Sequence, residues 1–350
     1  MSGVFLDWAS TSPIVRFPID TSKQWRNPNA AYAYEERKVL IDCEERIKAA
    51  IGANNGHVLY FRCATDALEW LHSQTVDVYG LTWWAHSPYE HDAAVFGIES
   101  KPDELVGADF YCHQLVNQLT GEIHDIKSVH EQLLQYDDVP FLICDCTAAI
   151  HHVSLKEANV CQYADCICMS GHKLGCPDIA FMWIDDRLFN WLGGGNDVRN
   201  QWNLKHGSIS VGHVLALADA VEWACDSKRL NDAENRYIRL FDCLYCELKK
   251  EDIDFSVIAD TKPSTFAINA IRLNGLNADS LQQYCPSKGI YISVGGSACN
   301  TAGDFHLLNA YKLTDAEASE VIRISFGEYT TIEDIDALVD AIAEYKQKYC

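Results

Sequence analysis

Residues 164–175 read ADCICMSGHKLG: a short apolar run, CICM, stops at a serine and turns through two glycines around a lysine. An apolar run of this length with a turn signal at its end reads as a buried strand. The pattern recurs on both sides, in HVLYFRC (57–63), GLTWWAH (80–86), ADFYCHQL (108–115), VPFLICDCT (139–147) and IAFMWID (179–185). TDALEWLHSQ (65–74) follows the first of these with helical spacing. Strands alternating with helices predict an α/β architecture, and continuous apolar strands predict a central, mostly parallel sheet covered on both faces.

Further along, residues 212–250 form one long helical stretch, expected to bridge to a second domain. FSVIAD (255–260), STFAINAIRL (264–273), IYISVG (290–295) and VIRISFG (321–327) are short strands with helical segments between them. The expected division is a large domain at 15–245 and a smaller α+β domain from 1–14 and 246–350. TTIEDIDALVDAI (330–342) predicts the last helix, with a capping pair at Thr330 and Glu333 and with Ile335, Leu338, Val339 and Ile342 on one face.

The chain has 350 residues, 48% hydrophobic and 22% charged, in the range of a globular protein. Its formal charge of −22 would repel phosphates, so no direct nucleic-acid ligand is expected. The charge fits a small-molecule enzyme or one that docks on a basic protein. No apolar run reaches the roughly 20 residues needed to span a bilayer, and the start lacks a signal-peptide pattern. A cytoplasmic protein without a membrane partner is expected. Fifteen cysteines, an odd count without regular spacing, argue against a disulfide framework. Those in FLICDCTAA and YADCICMS read as small core hydrophobes. Cys243 and Cys246 form a single CxxC in a helical pattern with no partner pair, so no metal site is expected.

Lys173 carries the strongest chemical signal. Alone it reads as an exposed turn lysine. Placed after a buried strand, beside His172 and between Gly171 and Gly175, it also suits a Schiff base with pyridoxal phosphate, which needs a desolvated amine. That cofactor needs a carboxylate for its ring nitrogen, and Asp145 ends the apolar strand FLICD. Its phosphate needs a helix start, supplied at Ala64 and Thr65 in CATDALEW. His91, in SPYEHDAAVF, is a candidate to cover the ring, although a lone histidine is more often structural. Cys299 sits in SVGGSACNTA (293–302), a run of small residues that is either a plain turn or a loop letting the thiol reach a target.

The order of these motifs resembles the NifS/IscS-type cysteine desulfurases, in the class V group of fold-type I pyridoxal phosphate enzymes. The resemblance runs almost end to end. LDWASTSP (6–13) looks like the family opening, and NPNAAYAYEERKVLIDCEERIKAAIGA (27–53) like its first helical segment. FRCATDAL, YEHDAAV, NQLTGEI, ICDCTAA and SGHKLG follow in family order. GGGNDVRNQWNLKHGS (193–208), VGGSACNTA and VIRISFGEYTTIEDID complete it.

The resemblance implies conversion of L-cysteine to L-alanine. Lys173 would hold the cofactor as an internal aldimine, and Cys299 would take the sulfur as a persulfide. His91 would stack on the ring and shuttle protons. Thr65, Ser170 and His172 would hold the phosphate. Arg323 and Gln118 would meet the substrate carboxylate. Ser208 stands where the family has a threonine from the neighbouring subunit, which implies a homodimer. A sulfur-acceptor protein is expected, in iron–sulfur cluster assembly or in tRNA or DNA thiolation.

The pattern departs in places. Ala148 replaces a glutamine that bonds the cofactor's ring oxygen, and Gln118 replaces an asparagine. The stretch before Ser208 is about four residues long in excess of the family pattern. The chain ends soon after its last helix, at KQKYC, which suggests a dedicated acceptor; Cys350 reads as a passive tail cysteine. The alternatives are a selenocysteine lyase or related class V lyase, and a degenerate scaffold member without catalysis.

Overall fold

The computed structural model describes residues 3–79, 82–176, 178–295 and 306–349. The chain divides into two compact units, one made of Met1–Pro13, Val116–His124 and Asn231–Cys350, the other of Ile14–Leu115 and Asp125–Leu230.

The second unit holds a seven-stranded sheet. In spatial order its strands are His57–Phe61, Ala180–Ile184, Cys166–Ser170, Phe141–Asp145, Phe110–Cys112, Trp84–His86 and Ile98–Glu99. Only Ala180–Ile184 runs against the rest; it is antiparallel to both of its neighbours, and the remaining pairs are parallel. CICMS and AFMWI are buried at every position and FLICD at all but its first, so side chains on both sheet faces are covered. Stacked Trp84 and Phe110, with ring centroids 4.5 Å apart, anchor this core. Cys144, Cys146, Cys166 and Cys168 are fully buried there, and burial pushes the thiols of Cys146, Cys166 and Cys168 well up, which keeps them unreactive.

The expected long helix over 212–250 is two helices, Val211–Ala224 and Ser227–Lys250. The break has a local cause: Asp226 Oδ1 accepts from the Arg229 amide at 2.7 Å, the bond that starts a new helix.

The first unit contains an antiparallel sheet in the order Ser293–Val294, Val321–Ser325, Ile268–Leu273, Phe255–Val257. A short parallel pair joins Val4–Phe5 to Ile290–Tyr291. The helix Ile332–Tyr349 buries Ile335, Leu338, Val339 and Ile342, as its spacing predicts. Its capping pair lies one residue later than expected. Thr331 Oγ1 accepts from the Asp334 amide, and Asp334 accepts from the Thr331 amide at 2.9 Å. Thr330 instead accepts from the Gly327 amide and closes the preceding turn.

Candidate active site

In the sheet of the larger unit, Ala180 stands in register with Phe61 on one side and Ser170 on the other. Asp145 pairs with Cys168 on the next parallel strand. The chain therefore leaves three strands, at Phe61, Asp145 and Ser170, along one edge. The carboxyl ends of parallel strands are where open α/β sheets bind ligands.

Past Phe61, the helix Ala64–Tyr79 begins with Ala64 and Thr65, whose amides have no preceding turn to accept their protons. Past Ser170, itself buried, the short helical turn Gly171–Leu174 carries His172 and Lys173. Gly175 closes that turn at φ +78°, and a Cβ there would lie 2.5 Å from the Ile14 carbonyl oxygen, so only glycine fits. Burial and the adjacent Lys173 charge push the His172 imidazole down to about 4, so it is neutral at pH 7.

Asp145 is buried, and its Oδ1 accepts from the Thr147 amide at 2.8 Å. His91 caps the turn Asp92–Ala94, its Nδ1 accepting from the Ala93 amide at 3.1 Å. Ser208 lines a cavity of about 300 Å³ with Arg62, Asp66 and Lys205 of the same chain.

Three further residues belong here that the sequence reading did not assign to the site. Glu90 is buried, and one carboxylate oxygen accepts from the Gln114 amide at 2.7 Å, while the other has no partner. Burial, reinforced by the Asp145 charge, pushes its carboxyl well up. Thr147 Oγ1 and His151 Nδ1 are buried without a hydrogen-bond partner. Of these, only Glu90 had a sequence signal, being the first residue of the EH pair in YEHDAAV.

The smaller unit holds a second polar cluster. Arg323, 1% exposed in the strand Val321–Ser325, gives Nη2 to Asp7 Oδ1 at 2.7 Å and to Ser10 Oγ at 2.6 Å. Its Nη1 donates to the Gln118 carbonyl oxygen at 3.2 Å, and its Nε has no partner. Gln118 is 3% exposed, and neither atom of its side-chain amide is hydrogen-bonded. The loop that holds it is built by Asn117, whose Oδ1 accepts from the amides of Leu119 and Thr120 at 2.8 and 3.0 Å. A buried guanidinium and a buried amide, each with unspent hydrogen-bonding capacity, suit a small carboxylate. Cys299 and Cys350 lie outside the described residues.

The description Aminotransferase class-V matches residues 108–338. The chain belongs to this family, whose members are pyridoxal phosphate enzymes. It is similar to a protein of Halalkalibacterium halodurans that carries the name NifS, with 21% identity covering 97% of each chain. It is similar too to the cysteine desulfurase IscS of Mannheimia succiniciproducens, with 26% identity over 73% of this chain and 61% of that protein. A solved NifS-like protein superposes with a TM-score of 0.82 at 18% identity, covering 99% of both chains, and so shares the fold.

The residues present fit pyridoxal phosphate. A strand-end carboxylate, a lysine amine, a helix start and two unspent buried donors lie on segments that leave one sheet edge, or in the turn that follows it. Those groups answer a flat ring with a basic nitrogen, a phosphate and a phenolic oxygen.

Proposed function

We propose that the protein is a cysteine desulfurase, converting L-cysteine to L-alanine and holding the sulfur on Cys299 as a persulfide for an acceptor protein. The observation that carries this reading is the register that ends three strands along one sheet edge, at Asp145, at Ser170 just before Lys173, and at Phe61 just before Ala64 and Thr65. What directs that cofactor set at a thiol is Cys299 in its small-residue loop.

When bound, pyridoxal phosphate makes the substrate Cα–H acidic and holds the electron pair released. Asp145 keeps the ring nitrogen protonated. The amides of Ala64 and Thr65, with Ser170, His172 and Ser208, take the phosphate, and the neutral His172 donates a hydrogen bond without adding charge. His91 covers the ring, and the Lys173 amine anchors the cofactor and carries the Cα proton. Arg323 and the Gln118 amide hold the substrate carboxylate. The Cys299 thiolate attacks the substrate sulfur: the S–S bond forms as Cβ–Sγ breaks, the bonding pair passes to carbon, and a proton there completes alanine. The active form is a cytoplasmic homodimer to which Ser208 contributes across subunits. Its acceptor serves iron–sulfur cluster assembly or thiolation of tRNA or DNA.

The test is the absorption spectrum of the purified protein, then L-cysteine with alanine and sulfide assayed, beside Cys299→Ala. Alanine formed by wild type and lost in the variant supports the reading. Bound cofactor with alanine formed equally by Cys299→Ala removes the thiol from the mechanism, and a protein that takes up no cofactor overturns the reading.

A further inference from the structure

The turn that follows Asp145 contains a donor that no role above uses. Residues 146–153 wind through two successive turns. The Ile150 amide donates to the Cys146 carbonyl at 3.0 Å and the Val153 amide to the Ala149 carbonyl at 2.9 Å, with shorter-range bonds from Ala149 and His152. His151 follows Ala148, whose methyl can donate nothing, by three residues in these turns.

His151 is 8% exposed, and its Nδ1 has no hydrogen-bond partner. A buried nitrogen left unpaired is costly, a cost a fold tolerates where a ligand will meet it. The backbone holds the ring in place: Arg229 Nη2 donates to the His151 carbonyl oxygen at 3.0 Å, and the His152 ring packs at a centroid distance of 3.9 Å. The charged or titratable groups acting on His151 are His152, Arg229 and Lys173, and all of these, with burial, keep its imidazole neutral. A neutral ring with its proton on Nδ1 is a donor that adds no net charge.

We propose that His151 Nδ1–H donates to the phenolic oxygen of pyridoxal phosphate, beside the carbon that Lys173 holds. The proposal rests on the cofactor reading above. Thr147 Oγ1 is the other unspent donor, but its residue is tied to the Asp145 end of the site by the hydrogen bond its backbone amide donates to Asp145 Oδ1. His151 instead lies within the field of the Lys173 ammonium.

The consequence is spectroscopic. The proton at the Lys173 linkage is shared with the phenolic oxygen; losing it leaves full negative charge on that oxygen. A hydrogen bond to the charged oxygen favours that loss, so His151 lowers the pH at which the bound cofactor changes colour.

The test is a pH titration of the visible absorption of the cofactor-loaded protein and of His151→Phe, His151→Leu, His151→Gln and Thr147→Val. Thermal unfolding identifies which of the Phe and Leu variants melts like wild type, and that one is read. A midpoint raised by about one pH unit or more is expected there, the size of a hydrogen bond to a charged atom. His151→Gln, which keeps a donor, should stay near wild type, and so should Thr147→Val. Unchanged midpoints on losing His151, or a shift carried by Thr147→Val instead, overturn the proposal. A wild type that shows no visible band fails the cofactor reading itself, and with it this one.

Discussion

Arg323 Nη2 meets Asp7 Oδ1 at 2.7 Å across 316 residues of sequence, and the same nitrogen reaches Ser10 Oγ at 2.6 Å. The pair sits where the isolated bridge between Asp7 and Ser325 lays the N-terminal segment beside the strand that carries the arginine. The guanidinium side chain is 2% exposed and the carboxylate 16%. Such a pair is costly to break from one side, because the charge left behind is buried. Asp7→Ala should therefore lower unfolding stability by about 3–5 kcal/mol in urea titration. Asp7→Asn keeps an acceptor oxygen and should lose about 1–2 kcal/mol.

Arg323→Lys tests the fork. A lysine keeps the charge but cannot bond Asp7, Ser10 and the Gln118 carbonyl while leaving a nitrogen for substrate. A drop in kcat/KM for L-cysteine of about tenfold to a hundredfold, carried mostly by KM, is the expected outcome. An unchanged KM would remove Arg323 from substrate binding.

The strands were legible because both sheet faces are buried, so FLICD and CICMS read as continuous apolar runs. The reversal of Ala180–Ile184 was not, since a strand buried on both faces has the same pattern in either direction. Lys173 and Asp145 could be singled out because each sets a charge at or just past the end of such a run. His151 and Thr147 could not, since an unpaired buried atom exists only once neighbours are placed. Asp7 and Arg323 stand at opposite ends of the chain. The cap of the last helix was misplaced by one residue because Thr330 and Thr331 are adjacent and carry the same chemistry. The helix break near residue 226 turned on one side-chain bond from Asp226.

Asp165 makes stability fall with rising pH. Its side chain accepts from the Leu142 amide at 2.8 Å and pairs with Arg187 at 3.0 Å, yet burial outweighs both and pushes the carboxyl up to about 6. The folded value exceeds the unfolded one, near 4, so the protonated form favours folding. That contribution is complete below pH 4 and lost as pH rises through 6. Two pH units correspond to about 3 kcal/mol. The stability of wild type relative to Asp165→Asn should fall by roughly this much between pH 4 and pH 7, in urea titrations at each pH.

His172 works in the opposite direction. Its folded value, about 4, lies below the unfolded 6.5, so its contribution is complete above pH 6.5 and lost as pH falls towards 4. Partial exposure limits the effect to about 2 kcal/mol. Wild type without cofactor should lose that much more than His172→Asn over this window. Loading with pyridoxal phosphate should shrink the difference if His172 meets the phosphate, since a nearby dianion favours the charged imidazole.

Glu90 separates a buried neutral acid from a buried anion. Burial and the Asp145 charge both favour its protonated form, against the Gln114 amide, which donates to one oxygen at 2.7 Å. If the acid is neutral at pH 7, Glu90→Gln exchanges one uncharged acceptor for another of the same shape. Its stability should then stay within about 1 kcal/mol of wild type. Glu90→Leu leaves the Gln114 amide buried without its acceptor and should cost about 1–3 kcal/mol. The raised folded value also sets a direction with pH. Stability tied to protonated Glu90 is complete below the ordinary carboxylate value and lost as pH climbs towards the raised one, so wild type should weaken relative to Glu90→Gln as pH rises. Urea titrations of the three proteins at neutral pH and over a pH series rising from the carboxylate range read both effects. A large loss in Glu90→Gln at neutral pH would show that the native group is ionised and that its charge is held by a partner.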